Sequence, residues 1–224
     1  MQLDWLVFDA DETLFHFDAF NGLKRMFSGY DVDFNRADFE QYQSCNLPLW
    51  KAYQNNEITA DELKHTRFES WASHLGVTTK QLNSQFLENM ADICALLPGV
   101  ESLLQSLHGH YRLAIITNGF VDLQEVRLKK VGIFHMFDHL VVSEKVGVAK
   151  PHNDIFFHTH QLMGMPDKQK VMMIGDNLHS DILGGLKYGF KTCWLNRTND
   201  SLSEGIQPDF EISEMSQLIN VINS

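Results

Sequence analysis

The sequence predicts an α/β protein: a parallel sheet with helices on both faces, and an all-helical segment inserted after the first strand. Three observations carry this. Short apolar runs recur near residues 6, 114, 141, 172 and 193, each suited to a strand buried on both faces. From Pro98 onward these runs alternate with stretches of helical length, the rhythm of right-handed strand–helix–strand crossovers. Between residues 17 and 95 no such run occurs, and aromatic residues and Met carry helical spacing instead.

Each element has a local reason. Leu6, Val7 and Phe8 form the first strand, and Asp9 marks its end. Lys24, Met26 and Phe27 belong to a helix ending near Gly29. Asn35 caps a helix containing Phe39 and Tyr42, which Pro48 is expected to break or restart. Thr59 and Glu62 form a capping box, opening one helix through Leu63, Arg67, Trp71 and Leu75 to Gly76. Thr78 and Gln81 form a second box before Leu82, Phe86 and Met90. The chain returns at Leu97-Pro98-Gly99 and a short helix runs from Val100 to Leu107. Residues 113–116 are the second strand, Val121 to Val131 a helix, residues 140–142 the third strand, and Asn153 to Met163 a helix closed by Gly164. Residues 171–174 are the fourth strand, Ser180 to Tyr188 a helix closed by Gly189, and Lys191 to Leu195 the fifth strand. A polar stretch leads to an edge near Ile212, and Ser213 to Ile222 closes the chain as a helix. The layout is Rossmann-like. Its core is expected over 1–16 and 96–224, with the helical subdomain over 17–95.

Composition narrows the function. The 224 residues are 44% hydrophobic and 21% charged, ordinary for a globular protein with a sizeable core. No run approaches the ~20 apolar residues of a membrane span, and Asp4 and Asp9 stand where a signal peptide would be apolar. Cys45, Cys94 and Cys193 are distant and odd in number, so they read as reduced core residues of a cytoplasmic protein. A net charge of −11 excludes a nucleic-acid polymer as partner, but not a small phosphorylated substrate. Monomer and homodimer both stay open.

In a parallel sheet the carboxyl ends of the strands share one edge, where ligands bind. That edge collects Asp9, Asp11 and Thr13 after the first strand, Thr117 and Asn118 after the second, Lys150 after the third, and Asp176 and Asp181 after the fourth. Several carboxylates in one crevice repel unless a cation intervenes. Oxygen ligands with open positions suit Mg²⁺. Lys150 adds a second positive charge, and Thr117 with Asn118 adds neutral donors, a set matched to phosphoryl transfer. Taken singly, each residue has an ordinary alternative: a turn acid, a helix cap or a surface lysine. Together these would be five coincidences at one edge.

Asp9-Ala10-Asp11-Glu12-Thr13, Ile115-Ile116-Thr117-Asn118-Gly119, Lys150-Pro151 and Gly175-Asp176-Asn177-Leu178-His179-Ser180-Asp181 resemble, in order, the four motifs of the haloacid dehalogenase-like hydrolases. Residues 17–95 sit where that family places a helical cap. The Asp-Ala-Asp-Glu-Thr-Leu-Phe phrase, the stretch 67–71 and the stretch 180–185 are similar to bacterial pyrimidine 5′-nucleotidases nearly end to end. The resemblance implies hydrolysis of nucleoside monophosphates. Asp9 would be the nucleophile and Asp11 the general acid and then base, free to carry a proton. Mg²⁺, with Mn²⁺ as a substitute, would sit on Asp9, the Asp11 carbonyl and Asp176, with Asp181 behind. Thr117 and Asn118 would hold phosphate, and Lys150 would offset charge. A sugar phosphate or acylneuraminate 9-phosphate is the alternative substrate.

Phe17, Phe20, Trp50, Tyr53 and Trp71 are candidates for stacking a pyrimidine, as is the Phe120-Val121 pair. His158 and His160 lie two apart on a helix and face different sides, which argues against a metal pair.

Overall fold

The computed structural model describes residues 2–223. In chain order the elements are β1 (Trp5–Phe8), β2 (Phe15–His16), α1 (Ala19–Ser28), α2 (Arg36–Gln54), α3 (Ala60–Thr66), α4 (Glu69–Leu75), α5 (Thr79–Ile93), β3 (Ala95–Leu96), α6 (Val100–Leu107) and β4 (Arg112–Thr117). There follow α7 (Val121–Lys130), β5 (His139–Val142), α8 (Ser143–Val146), α9 (Asn153–Leu162), β6 (Val171–Gly175), α10 (Gly184–Tyr188), β7 (Lys191–Leu195), β8 (Phe210–Ile212) and α11 (Leu218–Ile222).

Six strands form one sheet in the order β5-β4-β1-β6-β7-β8, every neighbouring pair parallel. The four residues of β1 are all buried, which suits the centre of a sheet covered on both sides. Leu6 and Phe8 face one apolar layer with α6 and α11, while Trp5 and Val7 face another with α9. The alternation is the period-two geometry of a strand. Phe8 stands in register with Ile115 and with Ile174, so β1, β4 and β6 end within two residues of one another. That alignment brings the three acidic and polar turns to one edge.

Helices α1 to α5 share a third apolar cluster, built on Leu23, Phe27, Phe34, Phe68 and Phe86. Core-side Phe120, Leu123 and Ala149 belong to the same cluster. The two-residue strands β2 and β3 pair antiparallel where the chain enters and leaves this layer.

Several elements differ from the sequence expectation. Pro48 lies inside α2 and does not break it. The helix continues because the residues beyond the proline are anchored: Trp50 stacks on Phe120 with ring centroids 5.2 Å apart, and the Tyr53 and Ser143 hydroxyls are 2.7 Å apart. The helix expected from Thr59 to Gly76 is two, α3 and α4, parted at Arg67 and Phe68. Neighbours on an unbroken helix point about 100° apart, and the break lets both of these side chains turn inward. Thr78 caps α5 through the Gln81 N–H, but the Gln81 side chain bonds the Tyr30 hydroxyl, so the second box is half formed. The Ser180 helix begins as a π-helical turn, Leu178–Leu183, before α10, and the closing helix begins as a 3₁₀ turn at Met215–Gln217. Only Cys193 of the three free cysteines is buried; Cys45 is exposed and Cys94 half-buried. No helix among the described residues is long and apolar enough to cross a membrane.

Candidate active site

The turn after β1 is wound so that its carboxylates face the sheet edge. The N–H groups of Leu14 and Phe15 both donate to the Ala10 carbonyl, and Glu12 takes a left-handed backbone, φ 58°. The Glu12 carboxylate pins the turn by accepting from the Phe17 N–H at 2.6 Å and from Arg197 at 2.7 Å. Thr13 is fully buried and bridges to the turn after β6. Its hydroxyl accepts from the Asp176 N–H at 3.1 Å and lies 3.3 Å from Asp176 Oδ1.

Lys150 is the hub. It is 1% exposed, and its Nζ donates to Asp9 Oδ1 at 2.5 Å, to the Ile116 carbonyl at 2.7 Å, and lies 2.7 Å from Asp181 Oδ1. Asn118 holds the lysine backbone on both sides: its Oδ1 accepts from Lys150 N at 2.8 Å, and its Nδ2 donates to the Lys150 carbonyl at 2.9 Å. The Asn118 side chain is therefore a clamp on the lysine. The Thr117 hydroxyl is buried and accepts from Gly119 N at 3.0 Å.

The π-helical turn has a purpose at this site. Asp181 N and Ile182 N both donate to the Asn177 carbonyl, widening the turn and aiming Asp181 inward. Gly175 leaves room for it: a Cβ there would stand 2.2 Å from Asp181 Oδ2. Asp181 oxygens are committed to Lys150, to Ser180 Oγ at 3.1 Å and to the Asn177 N–H at 3.1 Å.

Carboxylate oxygens of Asp9, Asp176 and Asp181 lie within 4.8 Å of one another. One ammonium faces three acids, so two negative charges remain uncompensated when all are ionised. The proton affinities register this. Burial raises the Asp9 carboxyl well above its ordinary range; Lys150 opposes this, while Asp181, Asp176 and Asp11 add to it. Burial, then Asp181, lifts Asp176 to about 7, against Lys150 and Thr13. Burial works to neutralise Lys150, but Asp181 and Asp9 outweigh it and hold the proton on. An oxygen-only donor set short of positive charge fits a hard cation. With Asp181 engaged, Asp9 and Asp176 are the side chains available to ligate it.

Asp11 has a partner that the motif did not announce. Its Oδ1 is paired with Arg127 Nη1 from α7, and Arg127 is 1% exposed. Arg127 Nη2 donates to Gln124 Oε1 at 2.6 Å, and its guanidinium lies 4.3 Å from the Phe15 ring centroid. Neither Gln124 nor Arg127 was prominent in the sequence. The available signal was their place on the same stripe of α7 as Leu123 and Leu128, where a solvated residue would not fall.

A cavity of about 440 Å³ opens from the acids into the helical layer. Of the aromatic candidates, Phe17, Trp50 and Phe120 line it. Phe20 and Trp71 instead pack with Phe34, and Tyr53 bonds Ser143. Tyr42, Asn46 and Arg67 also line it, a polar group that periodicity alone did not mark. His160 is a packed residue between the Tyr188 hydroxyl, 2.9 Å, and the Pro166 carbonyl, 2.7 Å, and His158 is exposed.

A family model described as haloacid dehalogenase-like hydrolase matches residues 3–189. The chain is 50% identical over 218 residues to the pyrimidine 5′-nucleotidase YjjG of Escherichia coli, covering 97% of each. It is 31% identical over 230 residues to the pyrimidine 5′-nucleotidase PynA of Streptococcus pneumoniae, covering 98% of this chain and 94% of that one. Among solved structures it is similar to the magnesium-bound HAD-hydrolase YfnB of Bacillus subtilis, described as revealing interdomain movement. The TM-score is 0.90 at 28% identity, over the whole of both chains.

Proposed function

The chain belongs to the haloacid dehalogenase-like hydrolases, and from that premise we propose that it hydrolyses pyrimidine nucleoside 5′-monophosphates to nucleoside and phosphate. The observation that carries the reading is the buried Asp9–Lys150–Asp181 array at one end of a cavity whose other end is aromatic. A phosphate group belongs at the first and a flat apolar ring at the second. End-to-end likeness to two pyrimidine 5′-nucleotidases supports that choice of ring.

In the proposed reaction, Asp9 attacks phosphorus through Oδ2, since Lys150 occupies Oδ1. The bond to the leaving ribose oxygen breaks as Asp11 gives that oxygen a proton, and an aspartyl-phosphate remains on Asp9. Asp11, now ionised, takes a proton from water as the water attacks phosphorus. The Asp9–phosphorus bond then breaks, releasing phosphate and restoring both acids. Lys150 keeps its charge throughout and screens the phosphoryl oxygens. Thr117 and the backbone N–H groups of the 117–119 turn orient phosphate. Asp9, the Asp11 carbonyl and Asp176 would hold Mg²⁺, which supplies Lewis-acid charge at the phosphoryl oxygens when bound. Mn²⁺ has the same hard-oxygen preference.

Residues 17–95 act in this reading as a cap over the core formed by 1–16 and 96–224, with β2 and β3 as its two connections. Cap closure excludes water and brings the Trp50 and Arg67 walls to the substrate. The test is a panel of phosphomonoesters at fixed Mg²⁺. Highest kcat/KM on pyrimidine monophosphates is expected. Preference for sugar phosphates or an acylneuraminate 9-phosphate would overturn the substrate assignment, and full activity in excess chelator would overturn the mechanism.

A further inference from the structure

We propose that Arg127 is the positioning residue for Asp11, fixing which of its two oxygens exchanges the proton. The assignment rests on the phosphomonoesterase reading above. A guanidinium donates hydrogen bonds and accepts none. Asp11 Oδ1, paired with Arg127 Nη1, must therefore present a lone pair there in either protonation state. The exchangeable proton is confined to Oδ2, which takes no hydrogen bond from the described residues. Asp11 lines the cavity, so that oxygen is the one offered to a leaving group.

The arginine is built to hold one pose. Its Nη2 is tied to Gln124 Oε1, one turn back on α7, and its flat face rests on Phe15 in β2. The helix itself is bolted down: Lys130 Nζ donates to the carbonyls of Ala91 at 3.0 Å and Asp92 at 2.8 Å, at the end of α5. Arg127 Nε is buried without a partner among the described residues, as is Gln124 Nε2. Burying an arginine with an unmet donor is costly. An ordinary surface ion pair with Asp11 would have avoided that cost, so a positional role accounts for an arrangement that stability alone does not favour.

The test compares leaving groups. Phenyl and p-nitrophenyl phosphate are nearly the same size, but p-nitrophenolate departs without help from an acid, and phenolate departs less readily. In Arg127→Gln, kcat/KM for phenyl phosphate should fall at least about tenfold further than for p-nitrophenyl phosphate, a fraction of the usual general-acid contribution. Arg127→Lys, which keeps a donor, should recover part of that ratio. Gln124→Met, which leaves the arginine in place but unlatched, should move the ratio the same way as Arg127→Gln and covers the case in which the latter does not fold. Asp11→Asn is the reference and should show the largest leaving-group effect. An unchanged ratio in the Arg127 and Gln124 variants, with Asp11→Asn showing its effect, overturns the role of Arg127. An unchanged ratio in Asp11→Asn overturns the mechanism beneath it.

Discussion

Replacing Asp176 by Asn should make the metal-free protein more stable at pH 8. The Asp176 carboxyl titrates near 7 in the fold against an ordinary 3.8, through burial and then the charge of Asp181. Between those pH values the folded carboxyl keeps a proton that the unfolded chain has lost. The unfolded state then binds fewer protons, and stability falls as pH rises through the window. A shift of this size corresponds to about 4 kcal/mol at about 1.4 kcal/mol per unit. Asp176 retains solvent contact, which reduces the figure to on the order of 1–2 kcal/mol. Asn keeps a similar shape and an oxygen for the Thr13 hydroxyl, without the charge. Urea denaturation in chelator at pH 8, followed by far-ultraviolet circular dichroism, should therefore give the variant the higher free energy of unfolding. Saturating Mg²⁺ should reverse the order, since a ligand at 100 times its Kd adds about 2.7 kcal/mol to the protein that binds it. A variant less stable than the parent in chelator at pH 8 would refute the claim that these acids are short of positive charge.

Asp9→Asn should lower turnover by at least about 10⁴-fold with an unchanged circular dichroism spectrum, as loss of a covalent nucleophile does elsewhere; phosphate release within tenfold of the parent would exclude Asp9 as nucleophile. Gly175→Ala drives a Cβ to 2.2 Å from Asp181 Oδ2 and should cost about 10²-fold in kcat through misplacement of Lys150, read by steady-state kinetics. Phe120→Ala removes a buried ring from the helical layer and should destabilise by about 3–5 kcal/mol. It should also raise KM for nucleotide while leaving the inhibition constant of inorganic phosphate nearly unchanged; equal weakening of both would place Phe120 at the phosphate end.

The sheet was legible because each strand is a short apolar run with its own stop signal, and parallel topology then dictates that the stops converge. That is why Asp9, Thr117, Lys150 and Asp176 could be grouped from positions spread over most of the chain. The helical layer was legible in type but not in detail. Pro48 is a breaker by local chemistry, and it is overruled by Trp50 and Tyr53, whose partners Phe120 and Ser143 are distant in sequence. The split at Arg67 likewise answers to a cluster, not to a local signal. At the site, motif positions gave residue identity but not pairing. Nothing in the spacing of Asp11 tells that a helix more than a hundred residues later supplies its arginine, or that Asn118 spends its side chain on the Lys150 backbone.

The loop after β4 joins the two ends of the cavity more closely than its length suggests. Thr117 and Asn118 lie at the acidic end, the proposed phosphate site, and Phe120, two residues on, lies inside the helical layer against Trp50. Val121 N–H donates to Glu144 Oε2 at 2.8 Å, and the other Glu144 oxygen meets Lys64 of α3 at 2.5 Å. Lys64 also reaches Asp122 at 3.1 Å and lies 4.9 Å from the Phe120 ring centroid. These polar contacts sit beside an apolar seam in which Phe120, Leu123 and Ala149 join the helical cluster, and Lys130 bonds the end of α5. Each polar pair contributes about 0.5–1.5 kcal/mol net, and the aromatic stack adds a similar amount beyond its buried area. Separation of this layer from the core would have to break these pairs and expose that seam together. Any such separation would have to draw Phe120 out of the aromatic cluster or carry the 117–121 loop with it. In the proposed reaction, ring recognition and phosphate orientation would therefore be coupled through five consecutive residues, Thr117 to Val121.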